Sequence, residues 1–218
     1  PIPGVIALPT VETVYEVPLI LEDEGLGGLI IEVLCLAETG RDMVDWRTMV
    51  DAIKVPKKTI PIAVVGKYVE LQDSYLSVKE ALHHASLAHD RDLELHWVPS
   101  EQIEAEGPDE LLQDVSGIVI PGGFGSRGIE GMIRTVTYAR DHQVPYFGLC
   151  LGMQVMVIEV ARRLLGKSLA NSTEFDSCTP DPVIDLMPEQ RIVTQMGGTM
   201  RLGVYPCEMV DEDSWAYK

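Results

Sequence analysis

The sequence predicts an α/β fold in which an open, mostly parallel sheet is doubly wound by helices. Between residues 60 and 165, short β-branched and apolar runs alternate with stretches of helical spacing. Glycines end two of the apolar runs, at Gly66 and Gly148, and a glycine-rich turn follows another. In sheets of this kind, ligand sites gather at the carboxyl ends of the strands.

The elements follow in order along this part of the chain. Residues 60–66 are short, β-branched and closed by glycine, which predicts a buried strand. Residues 74–89 place apolar side chains at helical spacing, with Ser74 as a candidate N-cap. The remaining predicted elements are strands at 93–98, 115–120 and 145–149 and helices at 108–112, 129–141 and 152–165.

Residues 1–55 lack this alternation. They hold mixed apolar runs with Pro9 and Pro18, and no glycine-rich turn joins a strand to a helix there. Residues 56–60 set a proline and two lysines before the next apolar run, which predicts a linker. We therefore expect an N-terminal part at 1–55, a linker at 56–60 and a domain at 61–218. Because the sequence starts at Pro1, we expect it to begin inside a longer protein.

Composition excludes several classes of partner. The 218 residues carry a net charge of −17, which argues against nucleic acid and anionic membranes because both attract positive surfaces. No export signal is recognisable, so we expect a reducing, cytoplasmic location. The four cysteines are far apart and form no CxxC pair. We therefore predict no metal site in this sequence.

Cys150 is the strongest candidate for chemistry. It is the centre of Gly-Leu-Cys-Leu-Gly at 148–152, between a predicted strand and a predicted helix. This is the cysteine form of the nucleophile elbow, in which flanking glycines leave room for a sharp turn. A helix N-terminus favours a thiolate, the form that attacks acyl groups. The alternative is a structural cysteine at a strand end.

A glycine-rich loop supports the first interpretation. Pro-Gly-Gly-Phe-Gly at 121–125 ends the preceding predicted strand, which would lie beside the elbow in a parallel sheet. A backbone N–H from this loop and that of Leu151 would form the two donors of an oxyanion hole. Phosphate binding is the alternative for the loop, but the G-x-x-x-x-G-K-[ST] pattern is missing.

These segments carry a family resemblance. Residues 121–125 and 145–154 resemble the glutaminase domain of class I glutamine amidotransferases. Asn-Ser-Thr-Glu-Phe at 171–175 and Gly-Gly-Thr-Met-Arg-Leu-Gly at 197–203 are similar to the CTP synthase family. Residues 66–82 resemble the start of that glutaminase domain, and 1–55 the tail of its synthetase domain. The resemblance implies an open sheet of the class I glutaminase type, truncated, with an N-terminal fragment of a separate α/β synthetase domain.

The resemblance also implies roles for particular residues. Cys150 would form a glutamyl thioester, and the backbones of Gly123 and Leu151 would hold the oxyanion. Gln154 would contact the bound glutamine, and Glu174 would accept a hydrogen bond from its α-ammonium group, since a zwitterion needs a fixed carboxylate. The implied oxyanion and glutamine-binding set is completed by Gly152 and Met153.

The implied reaction belongs to a larger enzyme. Glutamine nitrogen would be released as ammonia and delivered to UTP in an ATP-dependent amination that yields CTP. ATP and Mg²⁺ are implied for the synthetase domain, so no cofactor is expected within this sequence. The resemblance further implies GTP as an allosteric activator and a homotetramer.

One part of the family's machinery is missing from this sequence. The family uses a histidine base, oriented by a glutamate, downstream of the cysteine, but all histidines here precede Cys150. The stretch 188–196 is also shorter than the family pattern. We therefore expect that this chain alone does not hydrolyse glutamine. Two alternatives stay open: the glutaminase of a different amidotransferase, and a catalytically dead domain that binds glutamine or supports an oligomer.

Overall fold

A computed structural model describes residues 4–38, 40–186, 204, 206, 208–210, 212 and 213. The chain divides into two compact units, one ending at Val155 and the other beginning at Met156. This division does not test the boundary predicted at 56–60, which stays a prediction. Among the described helices, we find none with the length and apolar character needed to cross a lipid bilayer.

A four-stranded parallel sheet organises the first unit. Its order is β2-β1-β3-β4, with Val64 of β1 opposite Trp97 of β2 on one side and Val119 of β3 on the other. Ile120 of β3 lies opposite Gly148 of β4. The strands are β1 (Thr59–Gly66), β2 (Asp92–Pro99), β3 (Gly117–Ile120) and β4 (Tyr146–Gly148). The predicted class, an open parallel α/β sheet, is confirmed.

The central strands are apolar because both of their faces are covered. All residues of β3 are buried, as is the second half of β1, where Val64 and Val65 are fully inaccessible. Sheets with helices on both faces select such continuous apolar runs. The strands therefore form a rigid base for the loops at their carboxyl ends.

Helices connect the strands. The sheet order sends the connection from β1 to β2 one way and that from β3 to β4 the other, so right-handed crossovers put their helices on opposite faces. The helices that follow β1 are α4 (Leu76–Ala88), α5 (Ser100–Glu106), α6 (Asp109–Leu112), α7 (Ile129–Asp141) and α8 (Leu151–Leu164). Helix α7 has the predicted bounds, and α8 begins one residue before the predicted start.

The prediction of Ser74 as an N-cap is wrong. A 3₁₀ turn over Gln72–Tyr75 precedes α4, and Tyr75 occupies the N-cap position of α4. The Ser74 N–H donates to the Leu71 carbonyl within this turn (2.9 Å). Tyr75 is buried and stacks on Trp97 with ring centroids 6.5 Å apart, so an aromatic contact rather than a capping hydroxyl fixes the start of the helix.

The N-terminal residues are helical, which their composition did not predict. Helices α1 (Val17–Asp23), α2 (Leu26–Leu34) and α3 (Val44–Ile53) lie before β1. The Tyr15 hydroxyl donates to Glu80 of α4 (2.8 Å) and lies 2.6 Å from His84 Nε2. The Trp46 indole donates to the Tyr15 carbonyl (2.8 Å). These contacts attach the N-terminal segment to α4; its assignment to a synthetase domain stays a prediction.

The second unit contains a short parallel pair of strands that the sequence reading missed. Strand β5 (Ala170–Ser172) pairs with β6 (Asp181–Ile184), with a register irregularity at Asn171 and Ser172. The Thr173 hydroxyl donates to the Asp185 carboxylate (2.7 Å) beside the end of this pair. The predicted motif at 197–203 lies outside the described residues.

Candidate nucleophile site

Cys150 lies between β4 and α8 in a strained backbone conformation. Its φ is 52°, in the left-handed region that residues with a Cβ rarely adopt. The side chain is exposed, and the residue directly precedes the first residue of α8. Strained conformations of this kind persist where surrounding structure enforces them, often at functional sites. The geometry therefore matches the predicted elbow.

The two glycines of the elbow are there for steric reasons. A Cβ added at Gly148 would overlap the backbone of Gly152, and one added at Gly152 would overlap the Ile120 carbonyl. The Leu149 N–H donates to the same Ile120 carbonyl (2.9 Å). The first turn of α8 thus packs directly on the backbone of β3, and only glycine permits that distance.

The glycine-rich loop after β3 lies beside the cysteine. A Cβ added at Gly122 would be 3.6 Å from the Cys150 Cβ, and one at Gly123 would be 3.2 Å from Leu151 Cδ2. Gly123 is half-buried, whereas Phe124 at the loop tip is half exposed. The predicted neighbourhood of loop and nucleophile is therefore present within the first unit.

The residues after Cys150 differ in what they offer a ligand. Leu151 is buried and begins α8, so its N–H is among the first-turn donors that have no partner within the helix. The Gly152 N–H already donates to the Leu149 carbonyl (2.9 Å). Met153 is exposed and Gln154 is half-buried. Gly152 therefore contributes room at the turn rather than a donor.

Glu174 belongs to the second unit. It lies in the turn that follows β5, where it is half-buried, and its N–H donates to the Ser172 hydroxyl (3.2 Å). Its proposed contact with the glutamine ammonium group stays a prediction.

Four of the five histidines are bonded or stacked away from the elbow. His84 bonds Tyr15 and His83 stacks on the same ring. His96 bonds Glu94 (3.0 Å), and His142 stacks on Tyr138 with centroids 4.0 Å apart. None of these contacts brings one of the four histidines next to Cys150. Within the described residues, no cluster of three or more His, Cys, Asp or Glu side chains could hold a metal ion.

Sequence reading missed three side chains that support the site. The Tyr146 hydroxyl of β4 donates to the Gly152 carbonyl (2.7 Å), and burial raises the pKa of Tyr146. Lys67, directly after β1, is buried with its ammonium group on the carbonyls of the glycine loop. Arg127 of the same loop donates to the Lys67 carbonyl (2.9 Å). A lysine at the end of a buried strand was the one signal the sequence offered.

A cavity of about 350 Å³ is lined in part by two of these supports. Its lining includes Lys67, Tyr68, Glu101 and Arg127, but not Cys150. The Arg127 guanidinium pairs with Glu101 and lies 6.0 Å from the Tyr68 ring centroid. This cavity is therefore separate from the exposed sulfur of Cys150.

Comparison with known proteins gives one family match and several similar proteins of one kind. The profile of the class-I glutamine amidotransferase family matches residues 70–216. A CTP synthase from Chloroflexus aurantiacus is 56% identical over 207 residues, which is 95% of this chain and 38% of that protein. A CTP synthase from Dehalococcoides mccartyi is 59% identical over 204 residues, or 94% of this chain and 38% of that protein.

A solved structure agrees with these relatives. The glutaminase domain of a Trypanosoma brucei CTPS with bound acivicin matches with a TM-score of 0.56 and 40% identity, over 61% of this chain and 52% of that one. The chain spans little more than a third of the length of the curated relatives described above. The chain belongs to the class I glutamine amidotransferase family, and its glutaminase part is of the CTP synthase type.

Proposed function

We propose that Cys150 is the nucleophile that takes the γ-glutamyl group from L-glutamine. The thiolate attacks the amide carbon, and the carbonyl oxygen becomes an oxyanion. As the C=O bond re-forms, the C–N bond breaks, and the leaving nitrogen takes a proton from water and departs as ammonia. The remaining thioester is then hydrolysed by water to glutamate, which frees the thiol. The observation that carries the proposal is the strained, exposed Cys150 at the start of α8, with the glycine loop in contact range.

Two backbone N–H groups are the proposed oxyanion donors. Leu151 offers a first-turn N–H of α8, and Gly123 lies on the loop that packs against the Leu151 side chain. Removing one such donor typically slows acyl transfer by about 10²–10³-fold. Gln154, on the next turn of α8, and Glu174 are proposed to bind the amino-acid end of glutamine.

The larger reaction is a further proposal. Similar proteins are CTP synthases, and we propose that the ammonia aminates UTP in an ATP-dependent step on a synthetase domain, with Mg²⁺ supplied there. GTP as activator and a homotetramer belong to the same proposal. We also propose that this chain acylates Cys150 without sustained turnover, because no histidine follows Cys150 in the sequence.

Covalent labelling tests the nucleophile. We expect a glutamine analogue whose carboxamide is replaced by a chloromethyl ketone to alkylate Cys150, as read by peptide mass spectrometry. Cys35 is an internal control: it too is exposed with φ 52°, but it caps the C-terminus of α2, the opposite helix pole. Equal labelling of Cys35 and Cys150 would refute the proposal.

Ammonia release tests turnover. We expect at most one equivalent of ammonia per chain when glutamine is added, and none from Cys150→Ala. Continuous release that depends on Cys150 would show that a base other than a downstream histidine serves the site, and would refute the proposal that the chain lacks turnover.

A further inference from the structure

Lys67 is a buried lysine beneath the glycine loop. Its exposed fraction is 6%, which is rare for lysine unless its charge is satisfied. The Nζ donates to the Phe124 carbonyl (3.0 Å) and also to the Gly125 carbonyl. We infer that Lys67 is a positioning residue that holds the Gly123 N–H in place for the oxyanion. This inference rests on the proposed function of Cys150.

The aliphatic part of Lys67 lies close to Gly123. A Cβ added at Gly123 would lie 3.6 Å from Lys67 Cδ and 3.9 Å from Lys67 Cε, and it would also lie 3.2 Å from Leu151 Cδ2. Gly123 is therefore bracketed by the lysine stem and by the residue that supplies the second proposed donor. Movement of the lysine changes the position of Gly123 relative to Leu151.

The ammonium group contacts the exposed, glycine-containing part of the loop. Gly125 has φ +77° and, like Phe124, is solvent-exposed. Such glycine-rich backbone has many accessible conformations, and ordering it costs conformational entropy. Oxyanion stabilisation depends on donors that are oriented before the reaction. The two carbonyl contacts of Lys67 provide that order in the folded state.

The attachment is reciprocal. Arg127, two residues beyond Gly125, donates to the backbone carbonyl of Lys67 (2.9 Å) and pairs with Glu101. Side chain and backbone of one lysine thus hold both ends of the segment from Phe124 to Arg127. Because its ammonium group is engaged by carbonyls of the loop, Lys67 acts through the loop rather than on the substrate.

The test compares two alkylating reagents on the full chain. The thiolate adds to the carbonyl carbon of the chloromethyl ketone and forms a thiohemiketal oxyanion; sulfur then moves to the methylene carbon as the C=O bond re-forms and chloride leaves. Iodoacetamide instead alkylates a thiolate by direct displacement of iodide. Lys67→Met keeps the aliphatic stem and removes the charge. For this variant we expect the limiting rate of Cys150 alkylation by the ketone to fall about 10–100-fold. This decrease is no larger than the decrease of about 10²–10³-fold that follows the complete loss of one oxyanion donor. The concentration for half-maximal rate and the iodoacetamide rate should stay within about twofold.

Matched variants separate positioning from general damage. Lys57 donates in the same way to the carbonyls of Ala52 and Val55, so Lys57→Met should leave the ketone rate unchanged. Lys67→Arg should recover most of that rate because it restores a charged donor. If Lys67→Met does not fold, Lys67→Gln, a neutral donor, carries the same expectation of a slower ketone rate.

Three results overturn the inference. A ketone rate in Lys67→Met equal to that of the unchanged chain shows that the lysine does not position the donor. An equal loss with ketone and iodoacetamide, not recovered by Lys67→Arg, shows a merely structural role. Failure of the ketone to select Cys150 in the unchanged chain removes the proposed function itself, and the inference falls with it.

Discussion

Replacing Gly152 by alanine is the sharpest test of the elbow. Gly152 is in the first turn of α8, where alanine is ordinarily the better helix former by up to about 1 kcal/mol. A Cβ at this position would overlap the carbonyl oxygen of Ile120, which is backbone of the central strand β3 and cannot rotate away. Local propensity and packing therefore act in opposite directions here.

Packing should win. Overfilling a close-packed region costs about 1–3 kcal/mol. The Ile120 carbonyl also accepts the Leu149 N–H, and displacing it weakens a bond of about 1 kcal/mol. After subtracting the propensity gain, we expect Gly152→Ala to lower the free energy of unfolding by about 1–3 kcal/mol. A shift of about 1 Å at the elbow should also slow ketone labelling of Cys150 by about 10²-fold.

Urea unfolding and labelling kinetics measure the two effects. Gly28→Ala is the matched control: it lies inside α2, and its added Cβ would meet Arg41 Nη1 at an ordinary 3.6 Å. That variant should be neutral or more stable by up to about 1 kcal/mol, with unchanged labelling. If Gly152→Ala behaves like Gly28→Ala, the steric account of the elbow is wrong.

Three further predictions each concern a single residue. Cys150→Gly should be about 1 kcal/mol more stable to urea than Cys150→Ala, because glycine accepts φ 52° without strain; equal stabilities would contradict this. Tyr146→Phe should cost about 1 kcal/mol near neutral pH through the lost bond to Gly152. Burial raises the folded-state pKa of Tyr146. The contribution of Tyr146 to the free energy of unfolding is therefore present below the ordinary phenol pKa of about 10 and is lost as the pH rises above it. Urea unfolding between about pH 8 and 11 should show a smaller fall in the free energy of unfolding for the variant than for the unchanged chain. The hydrogen bond from Lys54 lowers the pKa of Glu16, so Lys54→Met should raise that pKa toward its usual value in an NMR titration, and no change would contradict the contact.

The sequence predicted the sheet well because its strands are short, rich in apolar residues and bounded by turn residues. The second half of the predicted strand, from Ala63 to Gly66, is buried, so tertiary structure and local pattern agree there. Prediction failed where long-range contacts decide. Helix α5 at 100–106 and strand β5 at 170–172 are brief and polar, and their sequences carry no periodicity that distinguishes them from loops.

Cys150, Gly148 and Gly152 could be predicted because their spacing encodes a local turn. Lys67 could not be assigned, because its partners Phe124 and Gly125 lie 57 and 58 positions away and contact it through backbone atoms. Backbone carbonyls leave no signature in a sequence. Contacts of this kind become visible only when the sheet order places β1 and β3 side by side.

The left-handed conformation of Cys150 has a consequence for protein engineering. Cysteine and glycine codons differ by one base, and glycine relieves the backbone strain at this position. A library selected for folding alone, by protease resistance or reporter fluorescence, should therefore enrich glycine at position 150 while it eliminates the sulfur. Any stabilisation campaign on this protein needs a second screen that scores thiol reactivity.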